Sequence, residues 1–375
     1  MIVAGEASGD LHGSGLVREA LRIDPGLSFF GIGGPRMREV GVRTLVDAAD
    51  MAVVGLVEVL AHFPVIYRAY RTLTTILRHE PPDLLILIDY PDFNLRLAKV
   101  AKRRGVKVLY YISPQIWAWR TGRVHQIARL VNAMAVVFPF EVPFYKRARV
   151  PVQFVGHPLR DTAASELSRD EAVRSFGLDP TRLVVGLFPG SRRGEVARLF
   201  PLILETGRLL RQQFPAAQFL LPRASSLTPE DLAPHLAAAG LPVVVVDERV
   251  YDVIRACDAI VTVSGTVTLE IALVGTPMVI IYRVSPLTYA IGKRVVKVDH
   301  IGLCNIVAGA RVVPELIQDA AQPAAIAREV ARFLTDPAAA GEVRSQLATV
   351  RQRLGEGGAA ARVARLALDL LAAKA

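Results

Sequence analysis

Leu183-Val184-Val185-Gly186-Leu187-Phe188 runs into Pro189-Gly190-Ser191-Arg192-Arg193-Gly194-Glu195, and a helical pattern then continues from 195 to 213. An unbroken apolar run of this length reads as a parallel strand buried on both faces. The loop after it opens a helix. Backbone N–H groups and the positive end of the helix dipole suit phosphate there, and Arg192 or Arg193 adds a bidentate guanidinium. The same grammar repeats on both sides. Strand candidates lie at 2–4, 27–30, 84–88, 106–110 and 133–137 before this stretch, and at 218–221, 243–246, 259–263 and 277–281 after it. Such runs alternating with helical segments predict an α/β protein with parallel sheets covered by helices.

A chain of 375 residues, 52% of them apolar, exceeds what one core usually organises and supplies material for two. The boundary is expected around 158–168, where the strand ending at Val155 gives way to a polar stretch. The final segment, 337–374, reads as two Ala- and Arg-rich helices joined by Gly355-Glu356-Gly357-Gly358. The only cysteines, Cys257 and Cys304, have neither a disulfide nor a zinc spacing. Met1-Ile2-Val3-Ala4 opens as a strand without the features of a signal peptide, and no apolar run is long enough to span a bilayer. A cytoplasmic location is expected. The net charge of +10 calls for an anionic partner: nucleic acid, an acidic lipid surface or a phosphorylated substrate. Scattered basic residues without a zinc-finger or RNA-binding signature argue against nucleic acid.

A second anion-binding pattern follows the strand at 259–263, in Ser264-Gly265-Thr266-Val267-Thr268-Leu269-Glu270. Ser264 and Thr266 are suited to cap the next helix, and Gly265 permits close approach. Glu270, one turn beyond Thr266, is placed to accept from two ribose hydroxyls, or else complements the helix dipole at the surface. Paired phosphate loops and a diol acceptor point to a nucleoside diphosphate held by the second domain. Walker and Gly-x-Gly-x-x-Gly patterns are both missing, which disfavours a P-loop NTPase or a nicotinamide enzyme.

In the first half, the loop Gly5-Glu6-Ala7-Ser8-Gly9-Asp10-Leu11-His12-Gly13 and the Gly33-Gly34-Pro35 turn belong at the carboxyl edge of the sheet, where open α/β sheets bind ligands. Ser8 and Gly9 are candidates for acceptor contact. Asp89 is delivered to the same edge by the strand at 84–88, ahead of Tyr90-Pro91-Asp92-Phe93-Asn94. A carboxylate there suits a general base, with Asp10 and His12 as rivals. Trp117 and Trp119, both in Ser113-Pro114-Gln115-Ile116-Trp117-Ala118-Trp119-Arg120, either floor a sugar or acyl chain or pack the core. His157, in Val155-Gly156-His157-Pro158, reads more readily as structural than catalytic. Met51, Val54 and Leu56, within the apolar stretch 51–67 and ahead of Arg68, Arg71 and Arg78, are candidates for acyl contact on an anionic membrane; a buried core segment is the rival reading.

Taken together, residues 5–12, Asp89 with 91–94, 113–120, 154–159, 189–195, 264–270 and Pro314-Glu315-Leu316 resemble the lipid-A-disaccharide synthase family, over nearly the whole chain. The resemblance implies an inverting glycosyltransferase with two facing Rossmann-like domains, the GT-B architecture, and C-terminal helices crossing back to the first. Residues 1–160 would then bind acceptor and lipid, 161–340 the UDP-sugar, and 341–375 would be the returning helices. It also implies UDP-2,3-diacylglucosamine as donor and 2,3-diacylglucosamine 1-phosphate (lipid X) as acceptor. The products would be the β-1,6-linked disaccharide 1-phosphate and UDP, formed at the cytoplasmic face of the inner membrane. Asn305 matches a nucleotide-site position of the family, although Cys304 stands where the family usually has proline. The family's first strand usually starts a few residues earlier.

With Asp89 as base, Arg192 and the amides around Gly190, Ser191, Ser264, Gly265 and Thr266 would stabilise the leaving diphosphate. No metal or other cofactor is expected, since neither paired histidines nor an Asp-x-Asp cluster occurs. The competing readings are another UDP-sugar enzyme of the same fold, such as a UDP-N-acetylglucosamine 2-epimerase, and a non-catalytic lipid-binding module.

Overall fold

Runs of Val, Ile and Leu become parallel strands in two sheets of a computed structural model, which describes residues 1–51, 56–295 and 298–373. The chain divides into two units, Met1–Pro158 with Gly355–Ala375, and Leu159–Leu354.

In the first unit β1 (Ile2–Ala4), β2 (Phe30–Gly33), β3 (Arg43–Asp47), β4 (Leu84–Ile88), β5 (Lys107–Tyr111), β6 (Ala133–Val136) and β7 (Val152–Phe154) pair in the order 3-2-1-4-5-6-7. All pairings are parallel. The chain order reverses between β1 and β4, so this is the switch point where such sheets open a ligand crevice at the carboxyl ends of their strands. Every residue of β4 is buried, as expected for a strand covered by helices on both faces. The strand expected at 27–30 instead begins at Phe30, because the backbone pairs with β1 only from Gly31 onward. Sequence reading passed over β3, a partly exposed edge strand with charged ends.

The second unit pairs β8 (Val184–Phe188), β9 (Gln218–Arg223), β10 (Val244–Asp247), β11 (Ala259–Val263), β12 (Met278–Tyr282) and β13 (Glu315–Ile317) in the order 10-9-8-11-12-13, again all parallel. Its switch point lies between β8 and β11. Those are the strands that feed the two phosphate-loop patterns.

The expected C-terminal segment from 341 is divided between the units. Helix Pro337–Arg353 belongs to the second, packing on Pro323–Thr335, Val267–Val274 and Leu303–Ala308. Only the last helix, Ala359–Ala372, joins the first, lying along Ala7–Ile23 and against β4 and β5. Its buried stripe of Ala359, Val363, Ala364 and Ala367 supplies the apolar face. Arg362 Nε donates to the Val155 carbonyl at 2.7 Å, and Lys107 Nζ donates to the carbonyls of Leu370, at 2.9 Å, and Ala373. The lysine thus meets the negative end of that helix.

Candidate active site

The first unit gathers a carboxylate, two imidazoles and a tryptophan at its carboxyl edge. Asp89 leaves β4 with φ +43° and Tyr90 follows with φ +47°, ahead of Pro91 at the start of helix Pro91–Arg103. Burial, followed by the charge of Glu6 across the switch point, pushes the Asp89 carboxyl up to about 6, against an opposing hydrogen bond from the Tyr90 N–H. A base of that strength stays largely ionised at neutral pH and takes a proton more readily than an ordinary carboxylate. Glu6, exposed at the N-cap of helix Ala7–Ile23, was not singled out from sequence. Its only sequence signal was its place in the glycine-flanked loop after β1.

The two rivals of Asp89 are occupied differently. Asp10 is buried, and its carboxylate accepts from the N–H groups of Gly34 (2.6 Å), Arg36 (3.0 Å) and Met37 (3.1 Å). It therefore caps helix Pro35–Glu39 from a distance in sequence, and the candidacy of Asp10 as base is corrected on that ground. Burial drives the His12 imidazole down to about 4 and His157 down to about 3, the latter helped by its proximity to His12. Both are neutral at pH 7 and weaker bases than Asp89. His12 meets the edge of Tyr111 at 6.4 Å between centroids, and His157 stands 5.2 Å from Phe138.

The acceptor candidates separate in the same way. Ser8 is exposed in the first turn of its helix, whereas Gly9 is buried against Ala4 and Ile88, where a Cβ would come within 3.2 Å of the Ala4 Cβ. Gly9 therefore sets the close packing of helix on strand. Trp117 is partly buried, donates from its indole to Glu141 Oε1 at 3.1 Å and packs edge-on to Phe140. Trp119 is exposed, with the Arg120 guanidinium 4.0 Å above its ring. Met51 is fully buried in the core beside Leu73 and Leu77, so it is corrected from an acyl contact to a packing residue. Val54 and the side chain of Leu56 lie outside the described residues.

In the second unit both loops flank the switch point. Gly190 has φ +100°, and a Cβ there would sit 2.9 Å from Glu195 Oε2 and 3.0 Å from Val263, so the turn after β8 requires glycine. Arg192 is the N-cap of helix Arg193–Gln213 and pairs with Glu195 one turn on, at 3.1 Å and largely in solvent. A pair so exposed yields readily to a phosphate. Arg193 turns to Asp231 at 3.2 Å. Ser191 offers its carbonyl to Ser226 Oγ at 2.6 Å, which holds the loop.

After β11, Ser264 Oγ donates to the Ile301 carbonyl at 2.8 Å, and Thr266 makes no capping bond to helix Val267–Val274. The expected caps are thus replaced by a tether, and the N–H groups of Thr268 and Leu269 close the first turn on the carbonyls of Gly265 and Thr266 at 3.1 and 2.9 Å. Gly265 faces open space. Glu270, its carboxyl raised by burial, accepts from Tyr251 OH at 3.1 Å.

Asn305 is the clearest departure. It is fully buried, its amide N–H groups go to Val313 O (3.0 Å) and Glu315 Oε1 (2.8 Å), and its oxygen accepts from Val312 and Val313 N–H at 2.9 and 3.1 Å. With all four positions filled it has none left for a nucleotide, and the expectation of direct contact is corrected. Glu315 accepts in turn from the N–H groups of Ile301 and Gly302 at 3.1 and 2.9 Å, which fixes the segment that tethers Ser264.

Two doubly wound parallel-sheet units of this kind are the architecture shared by GT-B glycosyltransferases and UDP-N-acetylglucosamine 2-epimerases. In agreement, the fold resembles UDP-N-acetylglucosamine 2-epimerase of Neisseria meningitidis (TM-score 0.64, 12% identity, covering 96% of this chain and 97% of that one). It also resembles MurG of Acinetobacter baumannii (TM-score 0.57, 14% identity, 98% and 99% covered). Sequence narrows the class. The family model for lipid-A-disaccharide synthetase matches residues 1–363, and the lipid-A-disaccharide synthase of Geobacter metallireducens is 69% identical over 374 residues, covering 100% of this chain and 97% of that protein. The chain belongs to the lipid-A-disaccharide synthetase family.

Proposed function

We propose that the chain joins UDP-2,3-diacylglucosamine to 2,3-diacylglucosamine 1-phosphate, forming the β-1,6-linked disaccharide 1-phosphate and UDP. The family membership and the carboxylate at the first switch point support this reading. In it, the first unit receives the acceptor and the second the nucleotide. Asp89 takes the proton from the acceptor's primary hydroxyl as that oxygen bonds to the anomeric carbon of the donor. The bond from that carbon to the diphosphate breaks on the opposite face, inverting the centre, and UDP leaves with the electron pair. Arg192 and the amides of residues 190–191 and 265–266 meet the charge that develops on the diphosphate. Glu270, oriented by Tyr251, accepts from the ribose hydroxyls.

The acceptor's acyl chains also suggest where the protein works, namely on the cytoplasmic face of an anionic inner membrane. Among the described residues no helix is long and apolar enough to cross a bilayer. Helix Leu56–His79 instead buries Ala69, Leu73 and Leu77 on one stripe and exposes Arg68, Arg71 and Arg78 on another, which suits contact with lipid phosphates.

The test compares Asp89→Asn, Asp10→Asn and His12→Ala with the parent for turnover, UDP affinity and melting temperature. Asp89→Asn should lose ~10²–10⁴ in rate with its fold and UDP affinity kept. Turnover within a few-fold of the parent would move the base elsewhere.

A further inference from the structure

We infer that Tyr110 and Asn94 are positioning residues that act through the main chain of Asp89, gripping its carbonyl oxygen so that a left-handed turn presents the carboxylate at the sheet edge. The inference rests on the reading of Asp89 as the base. Two consecutive residues with side chains stand in the left-handed region here, Asp89 at φ +43° and Tyr90 at φ +47°. That conformation crowds the Cβ of any residue other than glycine, and Tyr90 also precedes Pro91, which restricts it further. Strain of this kind persists only where surrounding contacts over-determine it, and it concentrates at functional sites.

The contacts are on hand. Tyr110, fully buried in β5, donates its hydroxyl to the Asp89 carbonyl at 2.6 Å. Asn94, fully buried in the first turn of helix Pro91–Arg103, donates its amide to the same oxygen at 2.6 Å and to the Ile88 carbonyl at 3.1 Å. Its own Oδ1 has no partner among the described residues, which is uncommon for a buried polar atom. On the other side of the turn, the Asp89 N–H donates to the Tyr111 carbonyl at 3.2 Å and Tyr90 OH to the Met51 carbonyl at 3.0 Å. A phenol and an amide are thus both directed at one carbonyl oxygen. An ordinary strand-to-helix turn needs neither. Withdrawing one donor lets the turn relax toward unstrained backbone and swings the carboxylate away, and a displacement near 1 Å at a reacting group costs about a hundredfold in rate.

The experiment is a double-mutant cycle on the single-turnover rate of the full chain with both lipid substrates. Its variants are Tyr110→Phe and Asn94→Ala, each made alone and in an Asp89→Asn background, with melting temperature and UDP affinity measured beside the rate. Tyr110→Phe removes only the hydroxyl and keeps the ring that fills the core. Each single variant should lose about ten- to a hundredfold in rate with UDP affinity within twofold of the parent. In the Asp89→Asn background the same changes should cost less than twofold, because no base remains to misplace. An equal fold-loss in both backgrounds would mark a general structural role and overturn the inference. So would an unchanged rate in Tyr110→Phe beside an inactive Asp89→Asn, which leaves the base reading standing. Full turnover in Asp89→Asn would overturn the base reading and this inference with it.

Discussion

Replacing Glu141 by Gln should change how the stability of the first unit responds to pH. Glu141 is 1% exposed, accepts from the Trp117 indole at 3.1 Å and from the Phe138 N–H at 3.2 Å, and faces Ser113 and Tyr145, which share a hydrogen bond of 2.6 Å. Burial pushes its carboxyl up from an ordinary 4.5 to about 8 despite those donors. The folded state therefore keeps a proton that the unfolded chain releases. Stability from this group is fully present below about 4.5 and is lost as pH rises to about 8. Within that window the slope approaches about 1.4 kcal/mol per pH unit, so the loss reaches about 5 kcal/mol at most. Glutamine cannot titrate, but its NH₂ group replaces one accepting oxygen, which costs about 1–3 kcal/mol at every pH. The two proteins should thus differ in slope as well as in offset. Urea unfolding between pH 5.5 and 8.5 measures this, followed by tryptophan fluorescence because both tryptophans lie in the first unit. The stability advantage of the parent over Glu141→Gln should shrink by several kcal/mol across that range. A constant difference would show that Glu141 does not hold a proton in the folded state.

Arg192→Ala should weaken UDP binding by about 1.5–3 kcal/mol in calorimetric titration, and Glu270→Ala should weaken UDP more than pyrophosphate. Unchanged UDP affinity in the first, or equal losses for both ligands in the second, would remove that residue from its role. Asp10→Asn, which leaves one oxygen for three N–H donors, should lower the melting temperature while turnover per folded molecule stays within a few-fold. A collapse of turnover with an unchanged melting temperature would contradict the capping role. Reversing the charge of Arg68, Arg71 and Arg78 should reduce co-sedimentation with anionic vesicles and leave neutral vesicles unaffected. Binding that ignores both lipid charge and salt would refute electrostatic docking.

The pattern of strands and phosphate loops was legible because it is local. Residues 183–195 and 259–270 carry strand, turn and helix start in one short stretch, and their positions at a switch point follow from parallel pairing. Which carboxylate is free was not legible. Asp10 and Asp89 both follow apolar strands at the same edge, and only tertiary pairing brings Gly34, Arg36 and Met37 onto one of them. Asn305 misled for the same reason, since its partners Val312, Val313 and Glu315 lie 7 to 10 residues away, in and just after a turn that shows no regular pattern. Met51 belongs to an apolar stretch in which periodicity does not separate a core face from a membrane face, and packing beside Leu73 decided it.

The role of Asp89 is tested most directly by the pH dependence of the single-turnover rate for the parent and for Asp89→Asn. A base pushed up to about 6 must be ionised to act, so the parent rate should fall below pH 6 with a midpoint near that value. The residual rate of Asp89→Asn should be flat through the same interval. An acid limb that persists unchanged in Asp89→Asn would contradict the assignment, because the titrating group would then be another residue.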